Sequence, residues 1–171
     1  GASATMSRVF HVVLHQPVIP PNTGNVIRTT AVAGATLHLV EPLGFVLDDA
    51  HLRRAGLDYH DLTHVLVHPT FEALLATLAD PPADLPGARP TGRIFAFTDR
   101  AATGHTEVAY APGDALLLGT EPTGLPEQVL ADPRLSALVR IPMVPGARSL
   151  NLSNAAAIAL YEAWRQRDFA G

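Results

Sequence analysis

The chain has no cysteine, which excludes disulfides, thiol catalysis and thiolate metal sites. It has no lysine either: all twelve basic residues are arginine. Arginine grips phosphate with a planar, two-pronged fork, but an arginine-only composition beside abundant alanine and proline reads first as a genome-wide bias. No apolar run approaches the ~18 residues that would span a membrane. Gly1 to Ser7 is small and polar, without a basic stretch leading into an apolar core, so it does not read as a signal peptide. It reads as a flexible tail or an expression scar, with residues 8–171 as a single domain. Cytoplasmic residence is the simplest fit.

Charged residues are sparse at 16 %, against 47 % apolar over 171 residues, which suits one domain with a proper core. Net charge is −4, so bulk charge gives no support to nucleic-acid binding. Any RNA contact must come from a local patch.

Strands alternate with helices along the chain. The apolar run Val9 to Leu14 reads as a buried strand before a proline-rich turn. Thr23 to Ala33 has helical spacing and stops at Gly34. Leu37 to Val40 and Val65 to His68 read as strands; between them Asp48 or Asp49 caps a short helix to Ala55, stopped by Gly56. Pro69 opens a helix through Leu78. The proline-rich stretch 80–92 reads as a surface loop. Arg93 to Thr98, Asp114 to Gly119 and Leu138 to Pro142 read as strands, Leu125 to Ala131 as a short helix, and Asn151 to Arg167 as the longest helix. This alternation predicts an α/β domain whose mostly parallel sheet is flanked by helices.

Three segments carry the chemistry. The first, Pro20-Pro21-Asn22-Thr23-Gly24-Asn25-Val26-Ile27-Arg28, lies where a strand turns into a helix. Its residues suit an anion at a helix N-terminus, and equally an ordinary capped helix with a surface arginine. The second, Leu116-Leu117-Leu118-Gly119-Thr120-Glu121-Pro122-Thr123-Gly124-Leu125-Pro126, is an apolar strand entering a glycine-containing turn. It is neither a dinucleotide fingerprint nor a phosphate loop, so a ligand there is not held by its phosphates. The third, Ile141 to Asn154, passes two prolines and then Ser149, Asn151, Ser153 and Asn154 into the last helix, more side-chain bonding capacity than one cap requires. Within that helix Ala155, Ala159 and Ala163 recur at every fourth residue, a smooth stripe on which another helix could pack.

In this order and spacing, the three segments resemble the three motifs of the SPOUT methyltransferases, and the first resembles the 2'-O-ribose branch. Gln16 to Arg28, Glu41 to Tyr59 with Arg53-Arg54-Ala55-Gly56-Leu57-Asp58-Tyr59, and Arg140 to Gln166 resemble the minimal subfamily that methylates the wobble nucleotide, cytidine or uridine, of certain leucine tRNAs. The resemblance implies a C-terminal trefoil knot, a homodimer, tRNA as partner and S-adenosylmethionine as methyl donor, leaving as S-adenosylhomocysteine; no metal, DNA or membrane is expected. It implies donor contacts at Phe97, Thr98, Gly119, Glu121, Ile141, Met143, Ser149 and Leu150. Catalytic roles fall to Arg28, Asn25, Ser149 and Asn151, with Asn154 in support, and RNA contacts to Arg28, Arg53, Arg54, Arg148, Tyr161 and Arg165. Thr123 departs from the pattern, which often has arginine there.

Other readings have less behind them. His60 and His64 lack the glutamate of a zinc-protease helix, and His11 and His15, four apart on a strand, are separated by about 13 Å. No G-x-S-x-G nucleophile motif is present. A domain that holds RNA or an adenine ligand without turnover, and a nicotinamide oxidoreductase, are the competing classes. Calorimetric titration with S-adenosylmethionine against NAD separates them.

Overall fold

The computed structural model describes residues 8–83 and 90–171. The expected tail at 1–7 and the middle of the proline-rich loop lie outside the described residues. Six strands form one sheet: β1 (His11–His15), β2 (Thr36–Val40), β3 (Val65–His68), β4 (Ile94–Phe97), β5 (Ala115–Leu118) and β6 (Ala137–Val139). Their order is β3-β2-β1-β5-β4-β6, and every pairing is parallel. Helices α1 (Pro20–Val32), α2 (Asp49–Arg54), α3 (Phe71–Ala79), α4 (Glu127–Leu130) and α5 (Leu152–Gln166) make the crossovers and flanks.

Side chains alternate across a strand, and the two faces build two apolar layers. Val12, Leu14, Leu37, Leu39, Leu116 and Leu118 pack with Val26 and Ile27 of α1 and Ala156, Ala159, Leu160 and Ala163 of α5. Val13, Ala96, Ala115 and Leu117 pack with Leu74 and Leu78 of α3 and Val129 of α4. Both faces are covered, which explains the nearly continuous apolar strands.

Several boundaries differ from the sequence expectation. Helix α1 starts at Pro20, not Thr23: proline at the first helical positions needs no N–H partner and has its φ preset. Helix α3 starts at Phe71, because the Thr70 hydroxyl accepts from Ala73 N and caps it. Asp48 caps α2, and Gly56 ends that segment at φ +75°, a conformation suited to glycine. Strand β6 stops at Val139, and two short 3₁₀ turns, Tyr59–Leu62 and His105–Glu107, were not anticipated.

The alanine stripe of α5 also has a different use. Ala159 and Ala163 are fully buried within the chain's own core, where α5 packs on α1 and β5. Small residues let these elements approach closely; they do not offer a free face. The exposed apolar residues of α5 are Ile158 and Tyr161.

Under α3, histidines replace part of the apolar layer. His11 Nδ1 lies 2.9 Å from His38 Nε2, and His38 Nδ1 lies 2.9 Å from His68 Nε2, a diagonal chain across β1, β2 and β3. His64 Nε2 lies 2.8 Å from the Thr30 hydroxyl. Among the described residues, no group of three or more His, Asp or Glu could hold a metal. Burial pushes His38 well below its usual pKa, with His11 and His68 adding to the shift, and burial lowers His64 to about 4. The unfolded chain therefore binds protons that the folded chain refuses. Stability should be full above about pH 6.5 and should fall as pH drops toward 4, by up to about 3 kcal/mol from His64 alone. Urea unfolding at pH 7.5 and pH 5 measures this; equal midpoints would contradict it.

Candidate active site

A pocket of about 380 Å³ opens at the carboxyl ends of β4, β5 and β6, beside the start of α1. Parallel sheets bind ligands at this end, near the point where strand order reverses, here between β1 and β5. Phe97 and Thr98 leave β4; Leu118 and Gly119 leave β5; Ile141 and Met143 follow β6; Ser149, Leu150 and Asn151 lead into α5. All eight residues expected to contact the donor line this one pocket, with Asn151. Its wall mixes apolar Ile19, Phe97, Leu118 and Leu152 with polar groups.

Gly119 shows why the second segment needs glycine. A Cβ there would lie 2.2 Å from Leu125 N and 2.5 Å from the Gly124 carbonyl carbon. The turn doubles back onto the strand end, closed by Gly124 N donating to the Thr120 carbonyl. The Thr120 hydroxyl donates to the His15 carbonyl at 2.8 Å, tying the turn to β1.

The three segments are clasped by one hydrogen-bond relay. Glu121 accepts from Val18 N at 2.9 Å and from Asn22 Nδ2 at 3.0 Å. Asn22 Oδ1 accepts from Asn151 Nδ2 at 2.9 Å. Asn151 Oδ1 accepts from Ser153 N at 2.9 Å and the Ser153 hydroxyl at 2.6 Å, capping α5. Asn22 is thus a site residue that sequence reasoning passed over in favour of Asn25. The signal was its early place in α1, which a start at Thr23 concealed. Asn22→Ala would strand the partners on both sides, a loss of about 1–3 kcal/mol. Asn22→Asp would set a second carboxylate against Glu121 and should cost more. Thermal melts of both variants check this; melting temperatures equal to wild type would rule out the clasp.

Asn25 and Arg28 lie on the exposed side of α1, outside the pocket wall of their own chain. Arg28 Nη2 donates to the Gly56 carbonyl at 3.2 Å, and Nη1 lies 3.8 Å from Asp61. The Asp58 backbone N–H, and then Arg28, hold the Asp61 carboxyl below its usual range. The other expected RNA contacts are dispersed. Arg53 and Arg54 are exposed on α2, Arg148 on the loop before α5, and Tyr161 and Arg165 on α5. Arg165 is bidentate to Glu162, and Tyr161 packs edge-on against Trp164.

Fold and pocket define a class of α/β proteins with an open site built from strand-end loops and no phosphate loop. Residues 9–161 match the SpoU rRNA methylase family, and the chain belongs to that family. It is 49 % identical over 163 residues to a tRNA (cytidine(34)-2'-O)-methyltransferase of Methylovorus glucosotrophus, covering 95 % of this chain and 99 % of the relative. It is 45 % identical to the enzyme of that name from Escherichia coli K12, covering 95 % and 97 %. Among solved structures, one described as giving insight into 2-OH methylation of C/U34 on tRNA superposes with TM-score 0.79 at 44 % identity, covering 93 % of this chain and 96 % of the other. The methyltransferase AviRb from Streptomyces viridochromogenes, in complex with AdoMet, superposes with TM-score 0.76 at 25 % identity, covering 95 % and 62 %. Among the described residues, no helix is long and apolar enough to cross a membrane.

Proposed function

We propose that the protein is an S-adenosylmethionine-dependent 2'-O-ribose methyltransferase acting on the wobble nucleotide, cytidine or uridine, of certain leucine tRNAs. The observation that carries this reading is the pocket itself, built from all three motif segments and clasped by Glu121, Asn22 and Asn151. The names of relatives that match nearly end to end support the tRNA target. The pocket fits the donor: its volume suits a nucleoside-sized ligand, and apolar side chains and strand-end backbone line it. When bound, S-adenosylmethionine supplies a methyl group on a sulfonium, a good leaving group.

The chain's own residues then have separable tasks. The relay fixes the Gly119–Leu125 turn and the α5 cap relative to α1, which holds reacting groups in line. Glu121 is committed to Val18 and Asn22 as an acceptor, so its role is architectural. Arg28 is no general base, since guanidinium loses its proton only above about pH 12. It stabilises the developing ribose alkoxide as a fixed donor, the 2'-hydroxyl proton being released to solvent water at the open pocket, with Ser149 and Asn151 orienting the ribose.

The reading includes a C-terminal trefoil knot. In the region that knot would involve, His105 N donates to the Arg140 carbonyl and Arg140 N to the Thr103 carbonyl, tying the loop after β4 to the chain leaving β6. It also includes a homodimer, supported by exposed Ile158 and Tyr161 on α5 and Val32 at the end of α1. In that dimer RNA spans both copies and Arg28 serves the shared mouth. Calorimetric titration with S-adenosylmethionine and NAD, beside sedimentation analysis, tests the assignment. Donor binding without NAD binding, by a dimer, is expected; NAD binding alone would overturn it.

A further inference from the structure

Arg100 is the only cationic side chain among the described residues that line the pocket. It stands on the loop after β4, where its backbone N–H donates to the Thr98 hydroxyl at 3.3 Å. Its Nη1 pairs with Glu127 Oε1 at the start of α4, and the two side chains are 58 % and 74 % exposed. The facing turn brings no cation: it offers Thr123 and the committed carboxylate of Glu121. Among the described residues, the pocket wall of one chain therefore has a single positive group, next to the acidic Asp99 and paired with a carboxylate outside that wall.

The substrate's chemistry gives that group a ligand. Every internal ribose 2'-hydroxyl is vicinal to a 3'-phosphodiester, so RNA that presents its 2'-oxygen brings a negative charge within a few bonds of it. Leaving that charge partly desolvated and unpaired is costly. We propose that Arg100 receives this phosphate and that Glu127 is its latch, releasing the guanidinium to the phosphodiester as RNA docks. An exposed ion pair stabilises little, so the exchange is easy, and the guanidinium fork matches phosphate geometry better than a point charge. The assignment rests on the reading of this pocket as an RNA ribose methylation site.

Full-length protein with Arg100→Ala, Arg100→Lys or Glu127→Gln is titrated with tRNA across a salt series and, separately, with S-adenosylmethionine. Arg100→Ala should weaken tRNA binding about tenfold and flatten the slope of log affinity against log salt by about one. Its affinity for S-adenosylmethionine should stay within about twofold of wild type. Arg100→Lys should fall between, and Glu127→Gln should tighten tRNA binding at low salt. An unchanged salt slope with weakened S-adenosylmethionine binding would assign Arg100 to the donor's carboxylate and overturn the phosphate role. No change in either titration would overturn any ligand role. Wild-type protein that binds neither molecule would overturn the pocket reading itself, an outcome distinct from a failure of Arg100 alone.

Discussion

Arg28→Ala should slow single-turnover methylation on the order of 10²-fold or more while donor affinity stays within about twofold. The expectation follows from location: Arg28 lies on the exposed side of α1, apart from the pocket wall, to which its own segment contributes Asn22. On the proposed reading, removing it takes away a donor to the reacting oxygen, while the pocket and its clasp, which do not involve Arg28, stay intact. Arg28→Lys keeps the charge but loses the planar fork that reaches the Gly56 carbonyl and Asp61 together, so it should rescue poorly. Single-turnover rates beside donor titrations separate the effects. If the proposed homodimer places Arg28 at the partner's pocket, mixing Arg28→Ala chains with chains disabled in the pocket should restore part of the activity. Near-normal single-turnover rates in Arg28→Ala would move the chemistry to the Ser149–Asn154 cluster.

The second large effect belongs to Gly119→Ala. The added Cβ would meet backbone atoms at 2.2 and 2.5 Å, and backbone cannot step aside as a side-chain tip can. The turn from Thr120 to Leu125 must move, and it carries Glu121, through which the clasp holds α1. Donor affinity should fall by more than about 10²-fold, with a lowered melting temperature, as overpacking against fixed structure typically costs ~1–3 kcal/mol or more. Gly124→Ala is the control. Gly124 has φ +76° but nothing within 4 Å of an added Cβ, so only about 1 kcal/mol of backbone strain is expected there. Equal affinities for the two variants would show that the close approach at Gly119 does not shape the pocket.

The parts of this site that were legible in the sequence are those written in local chemistry. The apolar run into Gly119, the prolines around Met143 and the dense hydrogen-bonding side chains before α5 each mark a strand end or helix start by themselves. Their order along an alternating β/α chain places them at one edge of a parallel sheet. What stayed hidden depends on contacts between distant segments. The bonds from Asn22 to Glu121 and to Asn151 join residues 99 and 129 positions apart, and no periodicity encodes such a pair. The alanines of α5 read equally as an internal or an external surface, because spacing fixes a helix face but not the partner it meets. The histidines on β1, β2 and β3 looked isolated, since the four-residue spacing of His11 and His15 separates them. The link runs sideways to His38 and His68, through strand pairing that sequence separation conceals.

The most direct test is nucleoside mass spectrometry of tRNA incubated with the protein and isotopically labelled S-adenosylmethionine, followed by fragment mapping. The account predicts one labelled 2'-O-methylribose at the wobble nucleotide of leucine tRNAs, absent with Arg28→Ala. Label on a base, at another ribose, or on no RNA at all with the donor demonstrably bound would contradict it.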